Sequence, residues 1–340
     1  MKVTVSAIAQ SCGLSTATVD RALNNRSGIS AANRQRVMEA AQRLGYLPTA
    51  GSVTRPSRPA HLEFLIPIRQ NAFMAELARH IEEHCGRLPL VASCRIKDLA
   101  DISPASLQAA ADQTPLGVKG VGVVAIDHPR TRNTLQAMVE AGIRIVTIAS
   151  DVPTTPRSAY VGLDNRVAGR TAALLMGRLL RGLDGNVAIV TGSRSYRGHE
   201  EREMGFRAVL GEEFGALSVA TAVDINEDAE ASYVETRKLL DNDRGLLGIY
   251  CVGAGRAGVA RAIGEVERER RPVFICHDLT RLTRGYLIDD IADVVIDQNA
   301  RLTAEQAVIQ LLGSIASPAP FLTNHYIEPR LIFKENIPTL

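Results

Sequence analysis

VTVSAIAQSCGLSTATVDRALNNRSGISAANRQRVMEAAQRLGYL, residues 3–47, decides how the rest of the 340-residue chain is understood. Its apolar residues recur at helical spacing in three short runs. Val5, Ile8 and Ala9 share one face of a first helix. Gly13 permits a tight reversal, Leu14 plugs the angle behind it, and Ser15 or Thr16 caps a second helix. Val19, Ala22 and Leu23 turn that helix inward, which leaves Thr16, Ala17, Asp20 and Arg21 outward. Ser30 caps a third helix carrying Val37, Ala40, Ala41 and Leu44, and Gly45 stops it. Three helices with this reversal make a helix-turn-helix.

A bare three-helix bundle would satisfy the same pattern, but charge separates the two readings. Residues 1–60 hold eight Lys and Arg against Asp20 and Glu39, a net +6, whereas the whole chain is only +2, so everything after residue 60 sums to −4. A basic head on an acidic body fits attraction to nucleic-acid phosphates.

Composition bounds the remainder. Apolar content of 46% and charged content of 22% fit a globular protein with two or three domains. No apolar run reaches the length of a membrane span or resembles a signal sequence. Five cysteines (Cys12, Cys85, Cys94, Cys251 and Cys276) are odd in number and lack paired or zinc-site spacing. Free buried thiols and a cytoplasmic setting are expected, with neither a structural metal nor a cofactor.

PTAGSVTRPSRP, residues 48–59, is a proline-rich joint. Beyond it, apolar strands alternate with amphipathic helices. LEFLIPI (62–68), LVASCRI (90–96), GVGVVAI (120–126) and IRIVTIA (143–149) form one series. YVGLD (160–164), NVAIVTG (186–192), SVATAVDI (218–225), LLGIYCVG (246–253), PVFICHD (272–278) and DVVIDQN (293–299) follow, with short strands at 322–327 and 330–333. This rhythm implies parallel sheets covered on both faces, and ten strands are too many for one sheet, so two lobes are expected.

One motif points to an enzyme. Gly253, Gly255 and Gly258 spell GxGxxG between a strand and a helix, and Asp278 ends the next strand. In a dinucleotide site such glycines admit a pyrophosphate to the helix N-terminus and the acid holds the ribose. The rival reading is therefore an NAD-dependent oxidoreductase with a fused DNA-binding head. Against it, the motif lies after two strands of its lobe, 186–191 and 218–225, rather than in a first βαβ unit, and no hydride-transfer group assembles around it. The plainer reading is a turn in which glycines let helix and strand pack closely.

Polar residues at the carboxyl ends of strands in an open α/β sheet are ligand candidates. Here they include Asn71 with Phe73, Asp127 with His128, Ser150 with Asp151, Asp164, Arg202 on the following helix, Asp278, and Asp297 with Gln298 and Asn299. Each has a plain alternative as a helix cap, a core ring or a surface ion pair. Together they suggest a cleft for a small polyhydroxylated molecule, and no nucleophile–base–orienter trio is present.

The head, through VTVSAIAQSCGLSTATVDRALNN and RQRVMEAAQRLGYLP, resembles the LacI/GalR family of bacterial transcriptional repressors. The body, through NAF (71–73), LDN (163–165), EREMGF (201–206) and IDQN (296–299), resembles periplasmic sugar-binding proteins of the ribose-binding type. The resemblance implies an all-α helix-turn-helix head on a two-lobed, parallel-sheet α/β body. It further implies a homodimer on pseudo-palindromic double-stranded operator DNA and a sugar or polyol effector between the lobes. It divides the chain into a head (1–47), a hinge (48–60), a first lobe (61–158 and 292–320) and a second lobe (159–291 and 321–340). Thr16, Ala17 and Arg21 take base-reading positions; Thr4, Ser15, Thr18, Asn24 and Ser30 take phosphate positions; Val53 and Arg55 stand where the hinge meets the minor groove. Asn71, Phe73, Asp151, Arg202, Asp278 and Gln298 are the implied effector set, to which the strand-end argument adds Asp127. Two departures stand out: Asp20 replaces a usual serine, and Val252 with Gly253 replaces a usual Asn–Asp pair.

Overall fold

A computed structural model of the chain describes residues 4–23, 29–44, 56, 58–225, 228–316 and 323–339. Asn24, Gly45, Val53, Arg55 and most of the expected hinge lie outside them. Helices α1 (Val5–Cys12), α2 (Thr16–Leu23) and α3 (Ala31–Arg43) form the head. Ile8, Ala9, Cys12, Val19, Ala22, Val37, Ala40 and Ala41 make its core. Gly13, at φ 65°, ends α1 in the left-handed region, and its N–H donates to the Ala9 carbonyl. Thr4, Ser15 and Ser30 cap the three helices, their hydroxyls accepting from the N–H groups of Ala7, Thr18 and Asn33. Two of the head's cations also work internally. Arg34 donates to the Ala22 carbonyl at 3.3 Å and Arg36 to the Cys12 carbonyl at 2.9 Å, neutralising the carboxyl ends of α2 and α1. Leu44 lies past the last turn of α3 and is exposed rather than part of the core.

The body runs β1 (Ala60–Ile66), α4 (Ala72–Gly86), β2 (Val91–Asp98), α5 (Pro104–Ala111), β3 (Val118–Val123), α6 (Pro129–Glu140), β4 (Arg144–Ile148) and β5 (Ala159–Leu163). It continues through α7 (Asn165–Leu179), β6 (Gly185–Thr191), α8 (Arg197–Glu213), β7 (Leu217–Asp224), α9 (Ala229–Asn242), β8 (Leu246–Cys251) and α10 (Arg256–Gly264). The last elements are β9 (Val273–His277), α11 (Arg281–Ile288), β10 (Val294–Asp297), α12 (Ala300–Ala316), β11 (Thr323–Ile327) and β12 (Arg330–Ile332).

Two six-stranded sheets result, in the orders β11-β5-β4-β3-β1-β2 and β12-β10-β9-β8-β6-β7. The first is parallel throughout. The second is parallel except for β12, which runs against β10. Strand β1 shows why the apolar runs are continuous: Leu62, Phe64 and Ile66 join the core under α4 and α12, while Leu65 joins the opposite core under α5 and α6.

The lobe boundaries at 158/159, 291/292 and 320/321 need correction. Strand β5 pairs with β4 and β11 in the first sheet. Strand β10 sits between β9 and β12 in the second. The chain therefore crosses after Leu163, between Asp297 and Ala300, and after Ile327. An apolar run reports burial on both faces but does not name the sheet that supplies its hydrogen-bonding neighbours, because that pairing is non-local.

Candidate functional site

On the head, Thr16, Ala17 and Arg21 are all exposed on α2, at the spacing that puts them on one side of the helix. The Thr18 hydroxyl lies 2.8 Å from that of Ser15. Of the phosphate candidates, Thr4, Ser15 and Ser30 spend one acceptor direction on a cap and stay exposed.

In the body, the two lobes face each other across a cleft. Its inner end is a cavity of about 40 Å³ bordered by Asn71, Phe73 and Ser150 from the first lobe, Arg202 and Asp278 from the second, and Gln298 at a crossing. Five residues of the expected effector set meet there: Asn71, Phe73, Arg202, Asp278 and Gln298. Asn71 also caps α4, accepting from Met74 N–H at 3.1 Å, and Phe73 is 97% buried, so the plain roles and the lining role coexist.

Asp127 and Asp151 do not join them. Both border a wider adjoining cavity of about 840 Å³, and each is already engaged. Asp127 accepts from Arg132 Nε at 2.6 Å. Asp151 takes both arms of the buried Arg157, one at 2.6 Å, together with the Thr147 hydroxyl and the Val152 N–H. The backbone explains the exchange: Ala149 has φ 59°, and the turn it makes brings Ser150, not Asp151, to the inner cavity. The Ser150 hydroxyl is buried and has no hydrogen-bond partner.

Helix packing sets the position of Arg202. A Cβ on Gly169 of α7 would lie 2.0 Å from the Arg202 carbonyl oxygen, and one on Gly205 of α8 would lie 2.2 Å from that of Arg166. Only glycines let these two backbones approach so closely. The Arg202 side chain then donates to Asn165 Oδ1 and to the Val252 carbonyl, each at 2.8 Å. The glutamates beside it pair elsewhere, Glu201 with Arg197 and Glu203 with Arg207.

Asp278, with φ 66°, is held by Arg256 Nη1 at 3.2 Å and by Gln298 Nε2 at 2.6 Å. His199 closes another side of the cavity, its Nδ1 2.8 Å from the Ser193 carbonyl. Burial, with Arg202 adding to it, pushes the His199 imidazole down to about 3, so it is neutral at physiological pH. Tyr196 reaches across the cleft. It is buried against the first lobe's core, and its hydroxyl donates to Gln70 at 2.6 Å. Asn165, Tyr196, His199 and Arg256 were not among the expected effector residues. Asn165 and Arg256 do lie within motifs already singled out, LDN and the GxGxxG turn.

The GxGxxG glycines serve packing. A Cβ on Gly253 would fall 2.4 Å from the His199 ring, one on Gly255 2.0 Å from Ile225 Cδ1, and one on Gly258 2.1 Å from the Ala229 carbonyl. Asp278, which the oxidoreductase reading would give to a ribose, is bound by Arg256 and Gln298. That alternative has no support here. Among the described residues no helix is long and apolar enough to cross a membrane.

Comparison with known families agrees with this division of the chain. The model for the periplasmic binding protein domain matches residues 62–315, and that for bacterial regulatory proteins of the lacI family matches residues 4–49. The chain belongs, over most of its length, to the periplasmic binding protein domain family, and it carries a lacI-family head. It is 26% identical over 245 residues to the HTH-type transcriptional regulator DegA of Bacillus subtilis, a match spanning 72% of this chain and 71% of that one. Its fold is shared by an ABC transporter solute binding protein from Burkholderia graminis in complex with D-arabinose, at TM-score 0.75 and 20% identity, over 83% of this chain and 98% of that one. It is shared as well by GanP, a glucose-galactose binding protein from Geobacillus stearothermophilus, at TM-score 0.73 and 21% identity, over 83% and 100% of the two chains. The protein is thus a DNA-binding transcription regulator with a lacI-family head and a periplasmic-binding-protein body.

Proposed function

We propose that this protein is a cytoplasmic repressor whose homodimer binds a pseudo-palindromic operator, and whose grip on DNA is set by a small polar effector, a sugar or sugar derivative, between the lobes. The observation that carries the reading is the pairing of two features in one chain. Thr16, Ala17 and Arg21 stand exposed together on α2, and side chains from both lobes and a crossing segment converge on a single cleft. The basic balance of the first 60 residues supports the DNA half. In this reading α2 enters the major groove, Arg21 reads guanine, and Thr4, Ser15, Thr18, Asn24 and Ser30 position phosphates. Val53 and Arg55 belong to the hinge contact with the minor groove. The effector acts by binding two lobe arrangements unequally, which is the only way a ligand can shift between them.

The test is Arg21→Ala, measured on a selected operator and on random duplex at fixed salt. The expected result is a loss of roughly 1–3 kcal/mol on the operator, with relaxed preference at one base position. Unchanged affinity and unchanged preference would remove Arg21 from recognition.

A further inference from the structure

Arg202 is a cation 96% buried, and its two hydrogen-bond acceptors, an amide oxygen and a backbone carbonyl, are both neutral. Nine-tenths-buried charge is normally matched by opposite charge, because an uncompensated ion out of water costs several kcal/mol. The other charges at the inner cavity do not supply the match. Asp278 is taken up by Arg256, so Arg202, Arg256 and Asp278 together leave one positive charge in excess. Asp127 and Asp151, carboxylates of the adjoining cavity, are held by Arg132 and Arg157, and Glu76 on α4 lies outside the cavity lining. His199 is kept neutral first by burial, and Arg202 and Arg256 both add to the opposition to its protonation.

The same cavity holds a second group without a partner, the Ser150 hydroxyl, which is 97% buried. At about 40 Å³ the space exceeds what one water needs, about 10–15 Å³ by this measure, roughly threefold. That admits a group of about three heavy atoms. The adjoining wide cavity, which shares Asn165 and Gly198 with it, is large enough for the rest of a small hydroxylated molecule.

We propose that the effector presents a carboxylate to Arg202 and Ser150, and is therefore a hydroxylated acid of the aldonic or uronic type, not a neutral sugar. This rests on the effector-cleft reading above and narrows its ligand class. Arg202 supplies its remaining guanidinium N–H groups, and Ser150 donates its hydroxyl to the second carboxylate oxygen.

The experiment is calorimetric titration of the full chain with matched pairs: gluconate against glucose, galacturonate against galactose, and glucose 6-phosphate as a phosphate control. At least one acid binds and its neutral partner binds at least tenfold more weakly, the ratio expected for a hydrogen-bonded charge. Ser150→Ala weakens the acid about tenfold, and Arg202→Gln more than that. Should Arg202→Gln fold poorly, Asp278→Asn decides by sign. Removing a like charge tightens an acid several-fold, whereas it weakens a neutral sugar whose hydroxyls donate to that carboxylate. Neutral sugars binding as well as their acids, the phosphate ester binding where the carboxylates do not, or weaker acid binding in Asp278→Asn would overturn the proposal and leave the cleft reading standing. No response to any member of the panel would overturn both.

Discussion

Arg202 occupies a space from which water is largely excluded, and its neighbours register the effect. His199 is held neutral, and the fully buried His277, hydrogen-bonded to Tyr250 at 2.7 Å, is pushed well below the ordinary imidazole range by burial and by Arg202. A histidine depressed in the folded state takes up its proton only on unfolding, so between pH 6.5 and about 3 the unfolded chain binds more protons. Stability from His199 is complete above its unfolded value and falls with acid through that window. Replacing it by glutamine should therefore flatten the loss between pH 7 and pH 5 by on the order of 1 kcal/mol, measured by urea unfolding at each pH. An equal slope in His199→Gln would place the acid sensitivity elsewhere. At this scale the residues expected from the sequence divide between two cavities: Asn71, Phe73, Arg202, Asp278 and Gln298, each after a strand end or in a recognisable motif, line the inner one. Asp151, conspicuous in the sequence as a carboxylate, lines the adjoining one, and Ser150 takes the inner place. The left-handed turn at Ala149 is set by tertiary context, and no glycine or asparagine announces it.

Among elements, α7 and α8 matter most to the cleft, because the close approaches of Gly169 to the Arg202 backbone and of Gly205 to the Arg166 backbone carry Arg202 to its place. Gly205→Ala puts a methyl group 2.2 Å from the Arg166 carbonyl and must push the helices apart. It should cost about 1–3 kcal/mol of stability and weaken effector binding, although residue 205 does not line the cavity. Binding unchanged in a stable Gly205→Ala protein would sever that link. On the head, Ser15→Ala removes the cap of α2 and should lower the head's stability by about 1 kcal/mol, read as reduced helical signal and an earlier melt. The elements were the most legible level of the sequence. Strand runs bounded by glycine, proline or asparagine and helices with apolar stripes report burial directly, and Asp164 and Asn299 cap α7 and α12 as strand-end residues often do. The GxGxxG turn shows the converse: its spacing is that of a phosphate loop, while its space is filled by His199, Ile225 and the Ala229 carbonyl.

For the whole molecule, the two sheets explain how one site could govern another. The lobes are joined by three crossings, after Leu163, between Asp297 and Ala300, and after Ile327, so a ligand touching both can bias their relative setting. The count of strands made two lobes legible, but not which lobe owns β5, β10 or β11: β5 pairs with β11 from the far end of the chain and β10 with β9 and β12, and an apolar run names none of these partners. Cleft occupancy is expected to change the affinity of the head for DNA. The direct measurement is the dissociation constant of the 340-residue chain for a selected operator at fixed salt, with the cleft empty and then saturated with a ligand identified by titration. A change of roughly 5–150-fold is predicted, the range of coupling between linked sites. An identical constant with the cleft empty and full would contradict it.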